Sequence, residues 1–202
     1  MSLGGCIAGH SAPALGGRLA SLAFIDVGSE VNFEASSRMR VFIEGMRPVA
    51  RFEDLTRQAL AVSPMTYPGL MLYRYQSLLT QGPGGFVWKA DRRSPVDFPH
   101  ILARLSQLPA LAPLVACPAL FVKGGRSRVL CQTGLERFAD RFPAGQWSVI
   151  PGAGHNVRED EPAALALALQ EVLEKHRPAP VTGRRISTQT GMGYVRSWNE
   201  TI

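Results

Sequence analysis

The stretch Ser148-Val-Ile-Pro-Gly-Ala-Gly-His155-Asn-Val places a histidine on a glycine-rich turn directly after a short apolar run. Residues 146–150 are predicted to form a buried strand, and the Pro-Gly-Ala-Gly segment is predicted to be the turn that ends it. A histidine that only fills a core more often lies on the apolar face of a helix. The glycines leave the turn free to aim an imidazole into a cleft, which a general base requires. His155 is therefore the leading candidate for a catalytic residue.

Strands alternate with helices on both sides of this turn. Upstream, 117–123 is predicted to be a buried strand with Pro118 near its start, where a missing N–H is tolerated. An amphipathic helix is predicted over 133–142. Downstream, an Ala- and Leu-rich helix is predicted over 161–176, with Pro162 in its first turn. Near-continuous apolar strands next to helices favour a parallel sheet that is covered on both faces.

The beginning of the chain carries a second strand and helix. Small apolar residues over 3–14 predict a tightly packed helix, and the run 19–25 predicts a short strand that ends at Asp26. An acid at the carboxyl end of a parallel strand lies on the rim where α/β sheets place their ligands. An aspartate at such a position also often accepts hydrogen bonds from loop N–H groups. Asp26 alone is compatible with both roles.

The N-terminal residues Met1-Ser2-Leu3-Gly4-Gly5 match the second half of the pattern G-x-S-x-G. In that motif a glycine two positions after the serine lets neighbouring backbone pack against a strained strand-to-helix turn. The first glycine and its strand would precede Met1, and a flexible chain end would have the same composition. Gly9-His10-Ser11 also resembles the motif, but Ala12-Pro13 follow where a glycine is needed.

The spacing of apolar residues becomes helical between residues 31 and 111, so we interpret 31–111 as a mostly helical cap and not as further sheet. Within it, 86–93 is compatible with a short extended piece. The cap would separate an N-terminal helix and strand, 1–30, from C-terminal core strands and helices, 112–177. Residues 178–202 are polar and lack periodicity, and we predict a disordered tail there.

Composition excludes several classes of function. Hydrophobic residues make up 46% and charged residues 19%, as in soluble globular proteins. The net charge is +6, but the basic residues are scattered, so no nucleic-acid partner is predicted. No apolar run suits a membrane span and no signal peptide is recognised, so we expect no membrane partner and a cytoplasmic location. Cys6, Cys117 and Cys131 lack metal-ligand spacing, and no metal or cofactor is predicted.

Taken in their order and spacing, these segments resemble the α/β-hydrolase superfamily over residues 1 to about 177. The resemblance implies an α/β class and a partial α/β-hydrolase fold, made of the last strands of the parallel sheet plus a helical cap. The segments that carry it are Ser2-Leu-Gly-Gly, Leu22-Ala-Phe-Ile-Asp-Val-Gly, the cap, Pro118-Ala-Leu-Phe-Val-Lys-Gly-Gly and Pro151-Gly-Ala-Gly-His-Asn.

The resemblance also implies roles for particular residues, because the family carries its triad in the chain order serine, acid, histidine. Ser2 would be the nucleophile and His155 the general base. The N–H of Leu3 would be one donor of the oxyanion hole. The implied function is a serine hydrolase that cleaves ester, amide or C–C bonds of a small-molecule substrate by acyl transfer, without a cofactor.

The position of the acid departs from the common family pattern. Many members carry it in the loop matched here by 124–131, near Arg128, and an arginine cannot orient an imidazolium. Other members place it after the preceding strand, so we predict Asp26 in preference to any residue of 124–131. Glu159 and Asp160 follow His155 too closely for this role and are predicted to help start the last helix.

The resemblance covers only the later strands of the family's sheet, and we therefore expect a truncated gene product or a misassigned start codon. Strand 19–25 would then have an unpaired apolar edge, which favours self-association. The alternative to a hydrolase is an inactive fragment, or a member that binds a small molecule or a partner chain without catalysis.

Overall fold

The computed structural model describes residues 1–32, 34–35, 37, 40–41, 45, 48–62, 64–89 and 97–175. The predicted tail, 178–202, lies outside the described residues. The helices are Leu3–Leu15 (α1), Phe52–Val62 (α2), Pro68–Leu78 (α3), Phe98–Leu111 (α4), Gln132–Ala139 (α5), Val157–Asp160 (α6) and Pro162–Lys175 (α7). The strands are Leu22–Ile25 (β1), Leu79–Gly82 (β2), Gly85–Trp88 (β3), Ala119–Gly124 (β4) and Gly145–Ile150 (β5).

Three strands form the parallel sheet that the sequence predicts, in the order β1-β4-β5. Ala119 of β4 lies opposite Leu22 of β1 on one side and opposite Gly145 of β5 on the other. Because all three strands run in the same direction, their carboxyl ends meet at one edge of the sheet. This register brings Asp26, the loop after Gly124 and the turn after Ile150 to the same place.

Both faces of this sheet are covered. On one face the rings of Phe24 and Phe121 stack with centroids 4.9 Å apart, and Phe138 and Phe142 pack against them from α5 and the segment after it. Neither Phe24 nor Phe121 is exposed to solvent, and burying each ring contributes about 2–3 kcal/mol. On the other face α7 packs on Leu120 and Val122 of β4, since alternate residues of a strand point to opposite faces.

Helix α4 packs on the sheet, although it falls within the predicted cap range of 31–111. Its residues Leu105 and Leu108 lie in the same buried cluster as Cys6 of α1 and Phe24 of β1. The helical pattern of the sequence shows that α4 has an apolar face, but it does not show which core that face covers.

A second, smaller core lies in the remaining part of that range. It contains Leu55, Met71 and Tyr75 from α2 and α3 together with Leu79 of β2. The hairpin of β2 and β3 interrupts the mostly helical range: β3 overlaps the expected extended piece, whereas β2 is not predicted. Its turn is made possible by the glycines of Gly82-Pro-Gly-Gly, since Gly84 and Gly85 have φ of 81° and 121°.

Strand β1 pairs with β4 on one side only, and the described residues supply no strand for its other side. On that side the carbonyl of Ile25 accepts a hydrogen bond from the N–H of Ser2 at 3.0 Å. The start of α1 is thereby attached to the carboxyl end of β1.

Gly4 and Gly5 are adjacent in α1 but differ in their surroundings. A Cβ on Gly5 would lie 2.5 Å from Cγ1 of Val27, whereas a Cβ on Gly4 would have no atom within 4 Å. Within this chain, the face of α1 that contacts the sheet contains Gly5 and not Gly4.

We expect Gly5→Ala to lower the free energy of unfolding by about 1–3 kcal/mol, because Val27 must move. Gly4→Ala is the matched control and should raise it by up to about 1 kcal/mol, because alanine is the better helix former. The midpoints of urea unfolding measure both changes. Equal effects of the two substitutions would contradict this account of α1.

Candidate active site

Asp26 lies directly after β1 and is fully buried. Its N–H continues the sheet by donating to the carbonyl of Val122 at 2.7 Å. Its carboxylate accepts three hydrogen bonds: the N–H of Gly124 donates to Oδ1 at 3.0 Å, and the hydroxyl of Ser127 and Nδ1 of His155 donate to Oδ2 at 2.5 and 2.7 Å. A buried carboxylate requires such partners, because desolvation of an unpaired charge is costly. Asp26 is thus held in one orientation.

His155 follows β5 on the predicted turn, and its side chain is 15% exposed. Because an ionised carboxylate can only accept hydrogen bonds, the contact with Asp26 places a proton on Nδ1 of the imidazole. Nε2 of the neutral ring then carries a lone pair that can take a proton from another group. The structure therefore brings Asp26 and His155 together in the orientation that a general base needs.

Ser2 adopts a strained backbone conformation, with φ of 49° and ψ of −131°. In the described part of the chain, Ser2 and Asp26 are the non-glycine residues with positive φ. Such a conformation costs about 1–3 kcal/mol and persists where the surrounding structure fixes it. The hydrogen bond from Ser2 to Ile25 and the start of α1 supply that constraint. Ser2 therefore lies on a sharp turn into α1 and not on a relaxed chain end.

Two further observations concern the neighbourhood of Ser2. Leu3 is the first residue of α1, so its N–H belongs to the first helical turn, where amides have no acceptor within the helix. Burial lowers the pKa of the Met1 amino group, and the positive charge of Arg158 lowers it further. Arg158 follows His155 by three residues, so the histidine segment and the start of α1 lie within electrostatic reach of each other.

The glycines around His155 serve close packing, which differs from the flexibility that the sequence interpretation assigned to them. Gly152 and Gly154 are absent from the described glycines with positive φ. A Cβ on Gly124 would lie 2.0 Å from the carbonyl oxygen of Gly154, and one on Gly125 would lie 2.7 Å from Cα of Pro151. The loop after β4 and the histidine turn therefore pack backbone against backbone, which fixes His155 relative to Asp26.

Ser127 and Lys123 are residues of the site that sequence reasoning missed. The amino group of Lys123 is buried and donates to the carbonyls of Gly124 and Ser127 at 2.7 and 3.3 Å. These bonds hold the loop whose serine hydroxyl contacts Asp26. The signal in the sequence was a lysine at the end of an otherwise apolar strand, since an unpaired lysine is almost never buried.

Glu159 and Asp160 do not have the role predicted for them at the start of the last helix. Oδ1 of Asp160 accepts the hydroxyl of Thr66 and Oδ2 accepts the N–H of Gly154. Oε1 of Glu159 accepts hydrogen bonds from Arg74 and Arg158. Both side chains therefore face the segment that precedes and includes α3.

Among the residues that the structure describes, no cluster of histidine, cysteine or acidic side chains could hold a metal ion. Within the same residues, no helix has the length and hydropathy of a transmembrane span.

The parallel sheet order, the helices on both faces and the site at the carboxyl edge define a partial α/β-hydrolase fold, which confirms the predicted fold class. The structure superposes on an E-2-(acetamidomethylene)succinate hydrolase with a TM-score of 0.71 and 20% identity, over 86% of this chain and 64% of that protein. An α/β-hydrolase from Novosphingobium aromaticivorans gives 0.64 and 24%, over 85% and 62%. An esterase from Mycobacterium tuberculosis gives 0.64 and 20%, over 84% and 57%.

Because the identities lie between 20% and 24%, the similarity establishes the fold alone. The chain spans between 57% and 64% of the length of these three proteins. No protein-family model matches the sequence.

Proposed function

We propose that this chain is a serine hydrolase of the α/β-hydrolase type that acts on a small molecule with an ester, amide or activated C–C carbonyl bond. The observation that carries the proposal is the hydrogen bond of 2.7 Å between Nδ1 of His155 and Oδ2 of the fully buried Asp26. Ser2 supports it, because its positive φ and its bond to the end of β1 are what a nucleophile turn requires.

In the first half of the reaction, Oγ of Ser2 attacks the substrate carbonyl and its proton moves to Nε2 of His155. Asp26 stabilises the imidazolium that results, and the N–H of Leu3 donates to the oxyanion. The tetrahedral intermediate then collapses. The bond to the leaving group breaks, that group takes the proton from Nε2, and an acyl ester remains on Ser2.

The second half releases the acyl group. Nε2 of His155 takes a proton from a water molecule, whose oxygen attacks the acyl carbon. When this intermediate collapses, Oγ of Ser2 leaves and recovers the proton from His155. The products are a carboxylic acid and the original serine.

The proposal is tested by mixing the 202-residue chain with p-nitrophenyl esters of increasing acyl length. We expect turnover above the buffer rate, preceded by a burst of p-nitrophenol that approaches one equivalent per chain, because acylation and deacylation are separate steps. Turnover no faster than that of the heat-unfolded chain would contradict the proposal.

The open side of β1 favours an alternative, a non-catalytic member that binds a partner chain or a small molecule. A strand edge that lacks a neighbour can pair with another chain, including a second copy of this one. Light scattering separates the two proposals when it is combined with the ester assay. A dimer without turnover would favour the alternative, and an active monomer would exclude it.

An in-frame glycine codon after an apolar strand upstream of Met1 would indicate truncation.

A further inference from the structure

The one-turn helix α6 begins two residues after His155, and its last carboxylate connects two distant parts of the chain. Oδ2 of Asp160 accepts the N–H of Gly154 at 2.8 Å. Oδ1 accepts the hydroxyl of Thr66 at 2.7 Å, and Thr66 is only 2% exposed. Thr66 lies in the loop between α2 and α3. A single side chain thus joins that loop to the backbone N–H of Gly154, the residue immediately before the proposed catalytic histidine.

The backbone of Gly154 is bonded at its N–H and closely packed at its carbonyl oxygen. Its N–H is bound by Asp160 at 2.8 Å. Its carbonyl oxygen packs so closely against Gly124 that a Cβ added there would lie only 2.0 Å away. The ring of His155 is fixed at Nδ1 by Asp26. The ring is thus bonded to Asp26, and the backbone that carries it is bonded, one residue earlier, to Asp160.

We propose that Asp160 is a positioning residue for His155, and that Thr66 couples it to the loop between α2 and α3. A shift of that loop changes the hydrogen bonding of Asp160 and, through Gly154, the aim of the imidazole. The inference deepens the proposed hydrolase function and rests on it. Misplacing a catalytic group lowers kcat more than substrate binding, because the alignment matters most in the transition state.

Thr66→Val tests the coupling, because valine keeps the shape of threonine and removes the hydroxyl. We expect kcat for an activated ester to fall about tenfold with KM unchanged, and Thr66→Ser to restore it, because it restores the donor. Asp160→Ala should lower kcat about a hundredfold. Asp160→Asn should retain most of the activity, because its oxygen can accept from Gly154 while its NH2 donates to Thr66.

Arg74→Gln is the matched control. Arg74 of α3 also contacts α6, because it forms an ion pair of 2.8 Å with Glu159. This ion pair does not include the N–H of Gly154. We expect kcat to be unchanged in this variant. If Arg74→Gln lowers kcat as much as Thr66→Val, the effect is a general loosening of the contact between α3 and α6, and the positioning role is overturned. It is also overturned if Asp160→Ala leaves kcat unchanged, or if the serine and asparagine variants fail to restore activity.

A second readout separates this inference from the proposed function. The NMR signals of the His155 ring report its environment without requiring turnover. Active wild-type chain with unchanged kcat in Asp160→Ala would refute the positioning role and leave the hydrolase standing. Wild-type chain without turnover would refute the hydrolase. In that case a ring signal that moves in Thr66→Val and returns in Thr66→Ser supports the coupling, and a signal that does not move overturns it.

Discussion

Replacing Ser2 by alanine is expected to lower kcat for activated esters by about 10⁴-fold or more, because the acyl group loses its point of attachment. The activity that remains would come from the oxyanion donors and from substrate binding. The burst of p-nitrophenol should disappear completely, because no acyl ester can form. Stopped-flow absorbance measures the burst and the steady-state rate in one experiment.

Ser11→Ala is the matched control for this substitution. Ser11 lies within α1, the helix that Ser2 directly precedes, and it is exposed. It follows Gly9-His10, so its local sequence also resembles a nucleophile turn. The variant should keep the burst and the rate of the wild-type chain. If Ser11→Ala abolishes the burst and Ser2→Ala retains it, the assignment of the nucleophile is wrong.

Replacing Asp26 by asparagine is expected to lower kcat by about 10⁴-fold. The asparagine amide can present its NH2 group to Nδ1 of His155, which then accepts a hydrogen bond and leaves the proton on Nε2. In that tautomer the imidazole cannot take the proton of Ser2. The carboxylate charge that stabilises the imidazolium is lost as well. The steady-state rate with a p-nitrophenyl ester measures the effect, and circular dichroism verifies that the variant is folded.

The control for Asp26 comes from the loop in which many α/β-hydrolases carry the acid. Ser127→Ala removes one hydrogen bond to Oδ2 and leaves the contact between Asp26 and His155 in place. We expect a loss of about tenfold, which corresponds to one charge-assisted hydrogen bond. If Ser127→Ala were the more damaging substitution, the acid would have to be reassigned to the loop.

The sequence alone was sufficient to predict the strands of the parallel sheet. The apolar runs that end at Asp26, Lys123 and Ile150 predicted three parallel strands, and the structure pairs them in one sheet. The sequence did not show where α4 packs, because its apolar face fits either core. It also did not show the pairing of β2 with β3, because strands of four residues are too short for a clear pattern.

The candidate site was predictable to a similar degree. The glycine turn and the strand end singled out His155 and Asp26, and the family resemblance gave them roles. The structure places them in hydrogen-bonding contact, while their catalytic roles stay predictions. Ser127 and Asp160 could not be found in this way. Each contacts a group about a hundred positions away, as in the pairs Ser127 with Asp26 and Asp160 with Thr66. Neither the spacing of residues nor a short motif encodes such a contact.

The central claim is that Ser2 is a nucleophile activated by His155, and mapping the adduct of a fluorophosphonate probe tests it most directly. The probe reacts covalently with an activated serine, and peptide mass spectrometry locates the phosphonylated residue. The account predicts one adduct per chain, on the N-terminal peptide at Ser2, and at least about a hundredfold slower labelling in His155→Gln, which lacks the general base. Labelling at another serine, or labelling of Ser2 at the same rate in His155→Gln, would contradict it.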